Sequence, residues 1–501
     1  MSLDWRKIVS NYWILIAFVV LKMVLQYSLV NPIYELHRDE FLHLNQANHL
    51  AFGFISVPPL TSLFSKLIYF LGGGLFWVRF FPALFGSITI VFAWLIVEEI
   101  GGTLISRILV SCALVFSVLI RINILFQPNS FDILAWTIMF FLLIRYINTN
   151  HSKWLYWLSI IVALGLYNKY NLIFILIGLL VGILLTSQRK LLSNSTFYKA
   201  LLLAFILILP NLIWQILHDF PVIQHMKVLK LNQLNNNSSG AFLKSQILFF
   251  FGSLPLSIAA LWAFVFYKPF KPYRLIGICF VFTIALFSFL KAKDYYAMGL
   301  YPALFAFGSV IIEKTLSGRL KPIIISLLIL FNGAIFLLTT KMVYPVLTPD
   351  EIVQNGAAFE KMGLLRWEDG KNHALPQDFA DMIGWREMAN KALIAYKLIP
   401  ANELENTLVF CDNYGQTGAL NYYNRGKMPE AYSFNTDYIY WIPQIKKITN
   451  ILLVGNSPSQ DIVDTFSDCK LVGVVENEFA REKNTGIYLL TGGNNMVTEM
   501  F

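Results

Sequence analysis

The sequence predicts a mainly α-helical polytopic membrane protein, with about eleven transmembrane helices and a small C-terminal extracytoplasmic α/β domain. Three observations lead there. The chain of 501 residues is 56% hydrophobic and 14% charged, whereas an ordinary soluble domain is about 25% charged. Its apolar residues come in runs of about 15–22, enough to cross roughly 30 Å of hydrocarbon at about 1.5 Å per residue. Past Tyr344 the charge rises and the apolar runs shorten.

The runs fall at 12–30, 79–97, 104–122, 131–147, 155–168, 171–186, 200–217, 246–266, 275–290, 295–312 and 322–342. The first follows Arg6 and Lys7, lacks a small-residue cleavage site and is longer than a signal-peptide core, so it reads as a retained span. Loop charge sets the orientation. With the N-terminus inside, the inner loops hold Arg6, Lys7, Arg145, Lys153, Arg189, Lys190, Lys199, Lys268, Lys271, Arg274, Lys314, Arg319 and Lys321. The outer loops hold about eight basic residues in a longer total length, which is the asymmetry expected of cytoplasmic and external loops. The net charge of +9 therefore reflects topology rather than nucleic-acid binding. An odd number of spans places the C-terminal residues outside.

The domains expected are a transmembrane domain, 1–343, and a soluble domain, 344–501. The first outer loop, 31–78, belongs to the former. Its residues Phe41, Leu44, Ala47, Leu50 and Ala51, and then Leu60, Leu63, Phe64, Leu67, Ile68 and Leu71, recur at helical spacing. Two amphipathic helices lying in the membrane interface fit that pattern, with Pro58-Pro59 at the entry to the second. In the soluble domain, strands are expected at Leu408–Asn413, Ile451–Gly455, Lys470–Glu476 and Gly486–Thr491. Helices are expected at Trp385–Lys397, Gly415–Tyr423 and Ser459–Phe466. Cys411 and Cys469 both lie in this outer domain, where a disulfide is permitted, and the sequence leaves that bridge open.

Residues capable of chemistry concentrate in the outer loops. Asp39-Glu40 follows His37-Arg38 just beyond the first span. A carboxylate there can act as general base or bind a divalent cation; it can equally be the acidic first turn of a helix. Asp132, at the start of the fourth span, carries the same two readings. Lys291 and Lys293 stand outside against the positive-inside trend, next to Asp294-Tyr295-Tyr296. They either bind an anion or snorkel to lipid headgroups, and Arg79 either touches phosphate or anchors its span.

Taken together, several segments resemble one family. Asp39-Glu40, Gly53, Val57-Pro58-Pro59-Leu60 and Arg79-Phe80-Phe81-Pro82-Ala83-Leu84-Phe85-Gly86 are similar to the N-terminal signature of the dolichyl-phosphate-mannose–protein mannosyltransferase superfamily. Its bacterial members include the aminoarabinose transferase of lipid A. Asn129-Ser130-Phe131-Asp132, Asn168-Lys169-Tyr170-Asn171, Lys291-Ala292-Lys293-Asp294-Tyr295-Tyr296 with Tyr301-Pro302, and Asn413-Tyr414-Gly415 with Gly418-Ala419-Leu420 continue the likeness over most of the chain. The family's members are inverting GT-C enzymes that take a sugar from a polyprenyl phosphate.

The resemblance implies roles by position. Asp39 would be the catalytic base, Glu40 would orient its loop or share that task, and Asp132 matches a second acid. Lys169, Lys291, Lys293, Tyr295, Tyr296 and Arg79 would hold the donor phosphate, stabilising the charge that develops on the leaving group. An external lipid, glycan or protein would be the acceptor, and the membrane would be the inner one. No cofactor follows, except that a family histidine implies a divalent metal at His225, in the loop that also holds His218. Aminoarabinose transferases carry a lysine before the proline pair where this chain has Val57, so the sugar stays open, and Lys66, Lys169 or the Lys291 pair would take that lysine's duty. A transporter or flippase of lipid-linked sugars is the competing class. It would place its charges near the bilayer midplane in two related halves, and this sequence has no such repeat. A receptor or scaffold would account for the outer domain but not for the acids at 39–40.

Overall fold

The computed structural model describes residues 5–232, 237–444, 447–494 and 496–497. The chain is mainly helical and ends in a small sheet. By contact it forms two units. One comprises residues 1–30, 57–60 and 76–346; the other comprises 31–56, 61–75 and 347–501. Most of the first loop thus groups with the C-terminal residues, whereas the sequence assigns it to the transmembrane domain.

In the helical unit the eleven apolar runs are helical over most of their length, some across a break, but not every helix is long enough to span. Among the described residues six meet the requirement: Leu75–Glu99, Pro128–Thr149, Ser195–Leu217, Lys268–Phe289, Asp294–Thr315 and Leu320–Val343. Two bent pairs, Leu172–Leu184 with Ser187–Ser193 at 105° and Ser239–Phe249 with Phe251–Phe266 at 68°, raise the number to at most eight. By length and composition alone these helices do not confirm the expected count of eleven. Lys153–Asn168 has 16 residues, which at about 1.5 Å per residue falls short of the hydrocarbon thickness, and Leu172–Leu184, with 13, meets the requirement only with its bent partner. The first helix, Trp5–Ser28, departs from helical geometry at Tyr12. Run 104–122 breaks at Phe116, dividing Leu104–Val115 from Leu119–Ile122.

Helix packing in this unit relies on small residues. At Gly308 a Cβ would strike the Leu256 carbonyl, so the Leu254–Phe266 and Tyr301–Thr315 helices approach backbone to backbone. Gly86, which closes the Arg79–Gly86 segment, leaves room for Asn123 and for Lys22, whose Cε would lie 3.0 Å from an added Cβ. Lys22 is only 2% exposed inside the first apolar run. Its ammonium donates to Gln26 Oε1, and Gln26 Nε2 donates to the Ile120 carbonyl at 3.1 Å. Sequence reasoning passed over this lysine because the run around it is apolar throughout.

The second unit is built on a five-stranded sheet: β1 Thr407–Cys411, β2 Ala431–Tyr432, β3 Asn450–Gly455, β4 Asp468–Val474 and β5 Gly486–Thr491. The order is β2-β1-β3-β5-β4. β1 runs parallel to β2 and β3, and β5 pairs antiparallel with β3 and β4. The expected strands match within a residue or two, and Trp385–Tyr396 and Tyr414–Tyr423 match the expected helices. The third expected helix shrinks to Gln460–Val463. Both outer-domain cysteines are free. Cys411 sits on β1 and Cys469 on β4, three strand spacings apart in the sheet order. At about 4.8 Å per spacing that is roughly 14 Å, far beyond disulfide reach.

Candidate active site

In the sheet-containing unit the chemistry centres on Asp39. The helix Arg38–Asn45 begins with a reciprocal cap. His37 Nδ1 accepts from the Asp39 amide at 3.2 Å, and the Glu40 carboxylate accepts from the His37 amide at 2.7 Å. This places Asp39 in the first turn, where unpaired amides and the helix dipole favour an anion. Phe41 and Leu44, both fully buried, hold the helix down.

The helix that receives it is Tyr414–Tyr423. That helix starts straight after β1, because Asn413 caps it by accepting from the Gly415 and Gln416 amides at 2.9 and 3.1 Å. Gly418 lets the two helices touch, since a Cβ there would lie 2.7 Å from Phe41 Cβ. With the helices so close, the Tyr414 hydroxyl donates to Asp39 Oδ1 at 2.7 Å. The Arg38 guanidinium lies 4.4 Å over the Tyr414 ring. His37 Nε2 is 3.5 Å from Asp381 Oδ2. The buried Asp381 carboxylate is in turn held by Arg481 at 3.0 and 3.2 Å.

Burial and exposure separate the two neighbouring acids. The Asp39 side chain is 37% exposed, whereas Glu40 is 1% exposed with its carboxylate on the His37 amide. The Glu40 carboxylate thereby closes the first turn of the helix. Burial would raise the Asp39 carboxyl, but His37, Arg38 and the Tyr414 hydrogen bond outweigh it and hold the group near 2. A group depressed in this way stays ionised until pH falls through its lowered value. Asp39 should therefore impose no acidic limb on a pH–rate profile above about pH 4. A limb between pH 5 and 7 that vanished in an Asp39 variant would contradict this.

In the helical unit, three segments distant in sequence meet around Lys169. The ammonium donates to Asn129 Oδ1 at 2.7 Å. It lies 4.3 Å over the Tyr296 ring and 5.2 Å over that of Tyr295. The segment is tied down by its flanking amides. Asn168 Nδ2 donates to the Pro128 carbonyl at 2.8 Å, and Asn171 Nδ2 donates to both Asp132 Oδ2 at 3.0 Å and the Tyr296 carbonyl at 3.1 Å. Asp132 also accepts from Trp136 Nε1 at 2.9 Å. At 5% exposure, with donors on both oxygens, Asp132 ties the Lys169 loop down. Burial lowers the Lys169 ammonium to about 8, Asp132 opposing and the Lys293 cation adding to the fall. A cation desolvated among phenols and an amide is set up to receive an anion.

The remaining expected residues divide. Lys293, Tyr295 and Tyr296 are half-buried beside this centre, while Lys291 is exposed on left-handed backbone with φ of 52°. Arg79 is 9% exposed on Leu75–Glu99. His225 lies on the helix Pro221–Asn232, and among the described residues no three His, Cys, Asp or Glu side chains gather as metal ligands. Burial and the nearby Lys293 cation hold that imidazole below its usual value. His218 instead donates Nδ1 to the Trp214 carbonyl at 2.8 Å and stacks on Trp214. His37, Asp381, Arg481 and the hydroxyl of Tyr414 were missed as site residues. Only the Asn413-Tyr414-Gly415 motif signalled them, and nothing in the sequence says which acid Tyr414 meets.

The sequence of residues 56–214 matches the family model described as dolichyl-phosphate-mannose-protein mannosyltransferase. No curated protein matches the chain. Among solved structures, ArnT from Cupriavidus metallidurans bound to undecaprenyl phosphate is similar with a TM-score of 0.63 at 12% identity, over 96% of this chain and 98% of that one. Its apo state gives 0.64 at 14% identity over the same shares. The archaeal oligosaccharyltransferase AglB from Archaeoglobus fulgidus, in complex with an inhibitory peptide and a dolichol-phosphate, gives 0.50 at 9% identity, over 89% of this chain and 70% of that one.

Proposed function

We propose that this chain, whose fold is that of the GT-C glycosyltransferase superfamily, moves a sugar from a polyprenyl-phosphate donor to an acceptor outside the membrane, with inversion. The donor class is supported by the family match and by the similar structures that hold undecaprenyl phosphate and dolichol-phosphate. The acceptor is a lipid, glycan or protein. The arrangement is an inner-membrane protein of eleven spans, N-terminus cytoplasmic and the α/β domain of residues 344–501 periplasmic. Positive-inside loop charge supports it.

The single observation that carries the mechanism is the exposure of Asp39 while Glu40 and Asp132 are shut away. Asp39 takes the proton from the acceptor hydroxyl or amine as its lone pair attacks the sugar C1. The C1–O bond to phosphate breaks on the opposite face, and polyprenyl phosphate leaves with the bonding electrons. Lys169, with Lys293 and the hydroxyls of Tyr295 and Tyr296, stabilises the charge developing on that phosphate. Mass spectrometry of envelope glycolipids and glycoproteins, with and without the protein, tests the reading. The loss of one sugar modification is expected, and identical profiles together with no transfer from a polyprenyl-phosphate-sugar in proteoliposomes would defeat it.

The two lysines of the 291–293 segment should behave differently. Lys293→Ala should raise the donor KM about tenfold, because its half-buried charge acts on Lys169. Lys291→Ala should stay within about twofold, as expected of a solvated surface cation. Donor saturation curves for both variants decide the point, and equal effects would return Lys291 to the phosphate group.

A further inference from the structure

We propose that Tyr414 is a positioning residue for sugar transfer, its phenol holding the Asp39 carboxylate in the orientation that receives the acceptor proton. The inference rests on the reading of Asp39 as the base and extends it to a residue 375 positions away in sequence.

A carboxylate on a single aliphatic bond turns readily and offers about four lone-pair directions. General-base catalysis needs one of them aimed at the acceptor, with side chains held to within about half an ångström. The hydroxyl of Tyr414 donates to Oδ1 at 2.7 Å, a short, charge-assisted bond that stops the turning. The phenol is itself fixed on three sides. The Asn413 cap sets its backbone, and Glu482 secures that cap, accepting from Asn413 Nδ2 at 3.3 Å and from Gln416 Nε2 at 2.7 Å. The Arg38 guanidinium covers its ring. The Phe41–Gly418 contact sets the spacing between its helix and that of Asp39. A tyrosine kept for packing alone would not need its hydroxyl on the one exposed acid of the turn.

The test is Tyr414→Phe in the full-length protein, assayed in proteoliposomes with a polyprenyl-phosphate-sugar donor, beside Asp39→Asn. Phenylalanine keeps the ring and removes only the donor. The expected result is a fall in kcat of about 10–100-fold with acceptor KM unchanged. The acidic limb should also move upward from its wild-type position, because a donor to the ionised form is lost while His37 and Arg38 remain. A kcat within twofold of wild type with the limb unmoved would overturn the proposal while leaving the base assignment intact. So would a kcat loss that tracks a lowered melting temperature and a raised KM with the pH profile unmoved, since that describes a structural role. Transfer that survives Asp39→Asn would overturn the base reading and this proposal with it, so the two failures are told apart.

Discussion

Asp39→Asn is expected to lower sugar transfer by about 10²–10⁴-fold, the range a positioned general base contributes, while the protein still reaches the membrane. Asparagine preserves the shape of the side chain and can still accept from the Tyr414 hydroxyl through its amide oxygen, so the cap at His37 and the Phe41–Gly418 contact should survive. What it loses is the capacity to take a proton. The carboxylate sits near 2 because His37, Arg38 and Tyr414 favour its anion, so the wild-type group is fully ionised at any working pH, and the loss should be as large at pH 8 as at pH 6. Initial rates with saturating donor, at matched amounts of membrane-inserted protein, measure it. Transfer at wild-type rate would remove Asp39 from the chemistry.

Lys169→Met should be the second large effect, with a fall of about 10²–10³-fold in kcat/KM, as expected when one stabiliser of transition-state charge is removed. Methionine approximates the length of the lysine stem while deleting the cation over Tyr296 and the hydrogen bond to Asn129. The wild-type ammonium lies near 8. Its folded value is lowered, so the charge is complete well below pH 8 and is lost as pH rises through it. In the free enzyme the profile should therefore fall on its alkaline side near pH 8. Lys169→Arg should keep its charge through that range and move the limb upward. If Lys169→Met left the donor KM and kcat unchanged, the Asn129, Lys169 and Tyr296 arrangement would be structural only.

The setting of Lys169 also bears on Val57. The position before the proline pair carries no cation here, yet Lys169 occupies a polar, half-buried setting of its own. Sequence reasoning treated Lys66, Lys169 and the Lys291 pair as equal candidates for donor phosphate. The structure ranks them by setting: Lys169 is enclosed by phenols and an amide, Lys293 adds charge to it, and Lys66 and Lys291 are exposed. Glu40 and Asp132 differ from Asp39 in that their oxygens accept local hydrogen bonds while buried.

The sequence by itself determined the membrane class, the places of the apolar helices and the strands of the C-terminal sheet. Each follows from periodicity and run length, which are local properties of the chain. It also marked the segments 39–40, 129–132, 168–171 and 291–296 as chemically unusual, because charge and amide side chains at the ends of apolar runs are costly unless used. Only the tertiary structure decided which of these groups is available. Whether an acid is a base, a cap or a scaffold depends on what donates to it and on whether water and substrate reach it. Those partners lie far along the chain: Tyr414 for Asp39, Asn171 and Trp136 for Asp132. The length of one helix was likewise a tertiary matter, since Phe116 breaks a run, 104–122, whose hydropathy alone is continuous. Burial and hydrogen bonding are properties of the folded pair of residues, and no spacing within one segment encodes them.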